Sequence, residues 1–122
     1  MINKSILLVD DEPHLIRSLG FVLTHEGYEV ASAIDGEEAL QKVREKKPAL
    51  MFLDVMMPKK NGYEVCQEIK TSPDLKDIYI ILCSARGQEA AIEQGVKCGA
   101  NEYLVKPFSP IAVVARVKEI LK

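Results

Sequence analysis

Short apolar runs alternate along this chain with stretches whose apolar residues recur at helical spacing. Ser5 to Val9 reads as a buried strand. Pro13 follows at a position suited to the first turn of a helix. Leu15, Ile16, Leu19, Val22 and Leu23 then share a helical face until Gly27 stops it. Tyr28 to Ala33 alternates as a second strand. Asp35 with Glu38 forms a capping-box-like start for a helix holding Ala39, Leu40 and Val43, and Pro48 ends that stretch. Ala49 to Leu53 is a third strand, apolar throughout, as expected when both sheet faces are covered.

After a loop at Pro58 to Gly62, a helix carries Tyr63, Val65, Cys66 and Ile69. Ile78 to Cys83 forms the fourth strand. A weaker helix, interrupted by Gly95, runs from about Gln88 to Lys97, and Glu102 to Val105 is the fifth strand. Ser109 then caps a last helix with Pro110 at its first position, and Ile111, Val114, Val117, Ile120 and Leu121 mark its apolar face. Five β-α units in succession predict an α/β fold, a single domain over residues 1–122, with a parallel sheet covered by helices on both faces.

Composition narrows the function classes. The 122 residues suit one domain, and 48% apolar with 28% charged residues speaks against disorder. A net charge of −2 does not suggest a basic face for nucleic acid, although totals leave room for a local patch, and no apolar run approaches a membrane span. Asp10-Asp11-Glu12 cuts off the first apolar run before it could serve as an export signal. Cys66, Cys83 and Cys98 are odd in number and widely spaced, which suggests buried, reduced thiols in a cytoplasmic protein rather than a disulfide framework or zinc site.

Ligands of open α/β sheets bind outside the carboxyl ends of the strands. There the first strand leads into Asp10-Asp11, the third into Asp54, the fourth into Ser84 and the fifth into Lys106-Pro107. Three crowded carboxylates disfavour joint ionisation, which a hard divalent cation such as Mg²⁺ relieves. A metal, an ammonium and a hydroxyl converging on one point suit a phosphoryl group, and a carboxylate there can act as nucleophile. Asp10-Asp11-Glu12 taken alone could equally be an acidic helix start, and Lys106 a solvated loop lysine. Among the lysines, Lys106 is the one expected to point inward. His14, His25, Lys59 and Lys60 read as surface residues.

The chain resembles a response-regulator receiver domain of two-component signalling, similar to the chemotaxis regulators, over essentially its whole length. The resemblance rests on Val9-Asp10-Asp11-Glu12, Leu53-Asp54-Val55-Met56-Met57-Pro58 with Gly62, Cys83-Ser84-Ala85, Gly99-Ala100-Asn101-Glu102-Tyr103-Leu104 and Val105-Lys106-Pro107-Phe108. It implies a flavodoxin-like sheet in the order 2-1-3-4-5. It implies Asp54 as phosphoacceptor, and Mg²⁺ held by Asp10, Asp11, Asp54 and the Met56 backbone carbonyl. Lys106 would pair with phosphoryl oxygens. Ser84 and Tyr103 would form the switch, and the Lys106-Pro107 bond would be cis. Such a domain catalyses only its own phosphorylation and dephosphorylation.

The donor would be a sensor histidine kinase or a histidine phosphotransfer protein. The output would be a rearranged surface of the Gln88–Lys97 helix, the fifth strand and the last helix, offered to a partner the sequence does not name. Stand-alone or excised, the domain would bind neither nucleic acid nor membrane directly. The alternative is the receiver part of a longer DNA-binding transcription regulator that forms a homodimer on phosphorylation. The Lys106–Pro110 run with Arg116 and Lys118 favours it, whereas Gln88, Asn101 and Ile111 fit its dimer pattern poorly. An Asp-nucleophile phosphatase would carry a second Asp at the position of Met56, and no phosphate-binding glycine loop follows the first strand. Met56 and Arg86 are expected to flank the path of hydrolytic water and to slow loss of the phosphoryl group.

Overall fold

A computed structural model of the chain describes residues 3–57, 60–85 and 97–122. Five strands form one parallel sheet: β1 (Ser5–Val9), β2 (Glu29–Ala33), β3 (Leu50–Asp54), β4 (Tyr79–Ser84) and β5 (Glu102–Val105). Their order is β2-β1-β3-β4-β5, and every neighbouring pair is parallel, as the resemblance implies. The helices among the described residues are α1 (Pro13–His25), α2 (Gly36–Glu45), α3 (Gly62–Lys70) and α4 (Pro110–Ile120). The helix expected from about Gln88 to Lys97 falls almost wholly outside the described residues, as do Pro58, Lys59 and Arg86.

The two sheet faces bury separate apolar layers. Leu7, Val9, Met51, Leu53, Ile80 and Leu82 point to the face covered by α2 and α3, which contribute Ala39, Leu40, Val43, Val65, Cys66 and Ile69. Ile6, Leu8, Leu50, Phe52 and Ile81 point to the other face, against Leu19 and Leu23 of α1 and Val113 and Val117 of α4. The period-two alternation within strands that looked uniformly apolar thus serves both layers. All three cysteines are buried, as expected.

The helix starts follow from local chemistry. The Asp35 carboxylate accepts from the Glu38 N–H, and Glu38 reaches back to the Ile34 N–H rather than to Asp35 itself. Asn61 and Glu64 form a complete reciprocal box at α3. Ser109 caps α4 with Pro110 at its start, as expected.

Three expectations need correction. Strands three and four each run one residue later than their apolar runs at Ala49–Leu53 and Ile78–Cys83, and Asp54 and Ser84 are the last ladder residues, at the strand ends where the site was expected. Ile111 does not join the buried face of α4: it is 83% exposed, and the face is built on Val113 and Val117 one turn apart. Lys106 is also not alone in turning inward. Lys70 lays its ammonium on the carbonyl oxygens of Lys76 and Ile78, at 3.1 and 2.6 Å, where it ties α3 to the entry of β4.

Candidate functional site

The sheet register builds the site. Val9 pairs with Leu53, so the next residues, Asp10 and Asp54, emerge side by side from adjacent central strands. Strand neighbours lie about 4.8 Å apart, which leaves two carboxylates within reach of one another. Asp11 completes the group, and one carboxylate oxygen from each of Asp10, Asp11 and Asp54 lies within 4.8 Å of the others. Asp10 and Asp54 are buried, whereas Asp11 is exposed.

Backbone and ammonium donors hold these carboxylates in place. The Glu12 N–H donates to Asp10 Oδ1 at 2.9 Å, and the Met56 N–H donates to Asp54 Oδ1 at 3.1 Å. The Lys106 ammonium donates to Asp10 Oδ2 at 2.6 Å and stands 3.5 Å from Asp54 Oδ2. Its own backbone is fixed by a 2.7 Å hydrogen bond from the Lys106 N–H to the Ser84 carbonyl. The expected cis Lys106-Pro107 bond is present.

Among the described residues one ammonium, that of Lys106, pairs with two of the three carboxylates, Asp10 and Asp54, and the electrostatics show it. Burial raises the Asp54 carboxyl above its usual range. The Met56 N–H opposes this, the Asp10 charge adds to it, Lys106 opposes it and Asp11 adds a little more. For Lys106, burial pulls downward but is outweighed by the Asp10 hydrogen bond and the Asp54 charge, so its ammonium is held above the ordinary value. Burial pushes the nearby Cys83 thiol up to about 12, which removes it as a competing nucleophile.

Ser84 closes the edge from β4. It is fully buried and pairs in register with Val105 of β5. Tyr103 belongs to the same strand as Val105. It lies two positions before Val105, half-buried, against the apolar layer under α2 and α3. Met56 contributes its backbone N–H, while its side chain is 58% exposed. The arrangement fits a hard cation: an all-oxygen donor set of three carboxylates with too little positive charge of its own.

Sequence reasoning missed a second polar cluster at the far end of β5. Arg116 on α4 clamps the Glu102 carboxylate through both Nε and Nη2, and Glu102 also accepts from the Tyr79 hydroxyl. The signal available was a charged residue inside a strand, at a spacing that gives no sign of a partner on the last helix. His14 and His25 are exposed, as expected, although His25 stacks on Phe21 with ring centroids 5.6 Å apart. Lys60 is not simply solvated: its ammonium pairs with Glu68 at 2.7 Å.

A doubly wound parallel sheet with three carboxylates gathered at its carboxyl edge has the acidic cluster typical of phosphoacceptor sites. The response regulator receiver domain model matches residues 6–118, and the chain belongs to that family. Such a domain is a phosphoacceptor module, not an enzyme that turns over external substrates. Over 120 residues the chain is 44% identical to the alkaline phosphatase synthesis transcriptional regulatory protein PhoP of Bacillus subtilis, covering 98% of this chain and 49% of that protein. Over 122 residues it is 40% identical to the chemotaxis protein CheY of Thermotoga maritima, covering 98% of this chain and 99% of that one. The crystal structure of Vibrio cholerae chemotaxis protein CheY4 superposes with a TM-score of 0.90 at 28% identity, covering 98% of this chain and 99% of that one. The chain thus spans about half the length of the transcriptional regulators among its relatives. No helix among the described residues is long and apolar enough to cross a membrane.

Proposed function

We propose that residues 1–122 act as one receiver domain, a cytoplasmic signalling switch that accepts a phosphoryl group on Asp54. The observation that carries this reading is the set of three carboxylates within 4.8 Å at the sheet's carboxyl edge, with the Lys106 ammonium among them. Asp10, Asp11 and Asp54, with the Met56 carbonyl, would hold Mg²⁺, which when bound supplies positive charge against the carboxylates and phosphoryl oxygens. The Asp54 carboxylate attacks phosphorus, the bond to the donor imidazole breaks, and an aspartyl phosphate remains. Lys106, already shared between Asp10 and Asp54, pairs with the phosphoryl oxygens. Ser84 turns its hydroxyl to the new group, and Tyr103 moves into the space that this opens. Both shifts bias a two-state surface that includes β5 and α4.

The donor would be a sensor histidine kinase or a histidine phosphotransfer protein. Intact mass after incubation with acetyl phosphate tests the chemistry. One added phosphoryl group is expected with Mg²⁺, none with EDTA, and none in Asp54→Asn. Failure of wild type to take either acetyl phosphate or beryllofluoride would overturn the reading.

A second reading concerns output. The relatives named as transcriptional regulators match nearly all of this chain with about half of their own length. That favours the chain as the receiver part of a longer DNA-binding regulator over a stand-alone switch. Phosphorylation would then drive homodimerisation. Sedimentation of the beryllofluoride-loaded protein separates the two readings: a dimer supports the regulator, and a monomer at every concentration supports the stand-alone switch.

A further inference from the structure

The two thiols on the α2-α3 side of the sheet are partners, although 32 residues separate them in sequence. Cys66, on the buried face of α3, donates to the Cys98 carbonyl oxygen at 3.4 Å.

Their environments differ in a way that assigns roles. Cys66 is wholly buried, whereas Cys98 is 8% exposed and lines a surface groove of about 190 Å³ with Asn61, Tyr63, Glu64, Gln67 and Lys97. The Cys66 hydrogen bond holds the Cys98 thiol below its usual range. Burial opposes this, and the Ala100 N–H adds to it. Cys66 moves the other way, through its pairing with Cys98 and its burial. A thiol at the floor of a surface groove beside a wholly buried second thiol has the layout of an attacking and a resolving cysteine. The third thiol, Cys83, lies in the apolar layer on the opposite face of the sheet and serves as an internal control.

We propose that Cys66 and Cys98 form an oxidisable thiol pair, in which a hydroperoxide oxidises Cys98 and Cys66 resolves the product as an intrachain disulfide. The Cys98 thiolate attacks one oxygen of hydrogen peroxide. The O–O bond breaks, and the departing hydroxide takes up a proton as water, leaving a sulfenic acid. The Cys66 sulfur, losing its proton, attacks the sulfenic sulfur. The S–O bond breaks, and the hydroxyl leaves as a second water. Two thiols are oxidised by two electrons and one peroxide is reduced to two waters. The bond would fasten α3 to the chain leading into β5, the strand that carries Tyr103 and ends just before Lys106.

The experiment treats the reduced, folded chain with hydrogen peroxide, with circular dichroism recorded before and after. It is then denatured, its remaining thiols are alkylated, and intact mass and peptide mapping follow. The expected product has lost about 2 Da before alkylation. It leaves one of the three cysteines, Cys83, open to alkylation and regains the other two after dithiothreitol. Cys66→Ala is expected to stop at a sulfenic acid on Cys98 that dimedone captures, and Cys98→Ala to form neither product. Three alkylatable thiols after treatment of folded wild type would overturn the proposal. So would a linkage through Cys83, a cross-link between chains only, or a Cys98 sulfenic acid that wild type does not resolve. The mapping on wild type decides the matter even if either variant fails to fold.

Discussion

Gly62 offers the sharpest test of how the chain shapes its site. It is the first residue of α3, and its backbone N–H donates to the Val55 carbonyl at 3.2 Å. A Cβ at this position would fall 2.8 Å from Val55 Cα and 3.0 Å from the Asp54 carbonyl carbon, and closer still to the Asp54 carbonyl oxygen. Those atoms are backbone of the strand that carries the acceptor, so no side-chain rotation relieves the clash. Left-handed dihedrals are confined to Gly27 and Gly99 among the described glycines, so the requirement at Gly62 is space alone. Gly62→Ala therefore sets an overpacking cost of about 1–3 kcal/mol against a helix-propensity gain of at most about 1 kcal/mol. The net loss is about 1–2 kcal/mol, which lowers the melting midpoint of a domain this size by roughly 3–10 °C. Gly20, inside α1, supplies the opposite case. Its added Cβ would meet Leu8 Cδ1 at 3.8 Å and Val30 Cγ1 at 3.9 Å, both ordinary contacts. Gly20→Ala is expected to gain about 0.5–1 kcal/mol from reduced backbone entropy. Urea unfolding of both variants, with equal slopes, measures the two signs. A Gly62→Ala protein as stable as wild type, or a Gly20→Ala protein less stable than Gly62→Ala, would refute the reasoning.

Three further outcomes are expected. Asp54→Asn removes a buried carboxylate that shares the Lys106 ammonium with Asp10 and lies beside Asp11, so in EDTA it should be more stable than wild type, by on the order of 1 kcal/mol; added Mg²⁺ should narrow the gap, and a lower melting point in EDTA would contradict the crowding argument. Glu102 is held below its ordinary value of 4.5, chiefly by the Arg116 hydrogen bonds, with burial opposing and the Tyr79 hydroxyl assisting. A depressed carboxyl contributes stability above its unfolded value, and that stability is lost as pH falls through the folded one. Arg116→Ala should therefore lose the part of the acid-side stability slope below pH 4.5 that wild type shows, and identical slopes in a urea series at stepped pH would rule out the clamp. Met56, two residues after Asp54 and exposed, is expected to shield the phosphoryl group, so Met56→Asn should shorten the lifetime of the phosphorylated form; an unchanged decay measured by mass would remove Met56 from that role.

What the sequence conveys is decided by the range of each signal. Strand and helix faces are local, so Leu19, Leu23, Ala39, Leu40, Val43, Val65, Cys66 and Ile69 are buried where periodicity puts them. The acceptor edge is legible for a related reason. Asp10 and Asp54 each follow an apolar run, and parallel topology gathers strand ends without any knowledge of side-chain contacts. Ile111 fails because helical spacing permits two neighbouring stripes on α4, and only the position of the sheet selects Val113 and Val117 over Ile111. Lys70 fails because an inward lysine needs carbonyl acceptors, and those belong to the turn before β4, which hydropathy does not locate.

The contacts that sequence leaves dark all join elements distant in the chain. Glu102 and Arg116 each look like ordinary solvated charge until β5 and α4 are laid together, and Cys66 and Cys98 look like two unrelated core thiols until α3 meets the turn before β5. These joints share a strand. At the start of β5, Glu102 is clamped to α4, and the chain entering it packs its thiol on α3; just past its end stands Lys106, bound to Asp10. A strand of only four residues, held from three sides and bearing an ammonium shared between two carboxylates, has few internal ladder bonds to resist displacement. Under the proposed phosphorylation a new charge at Asp54 would compete for Lys106, and β5 is the element that joins that ion pair to the α4 clamp and to the thiol pair.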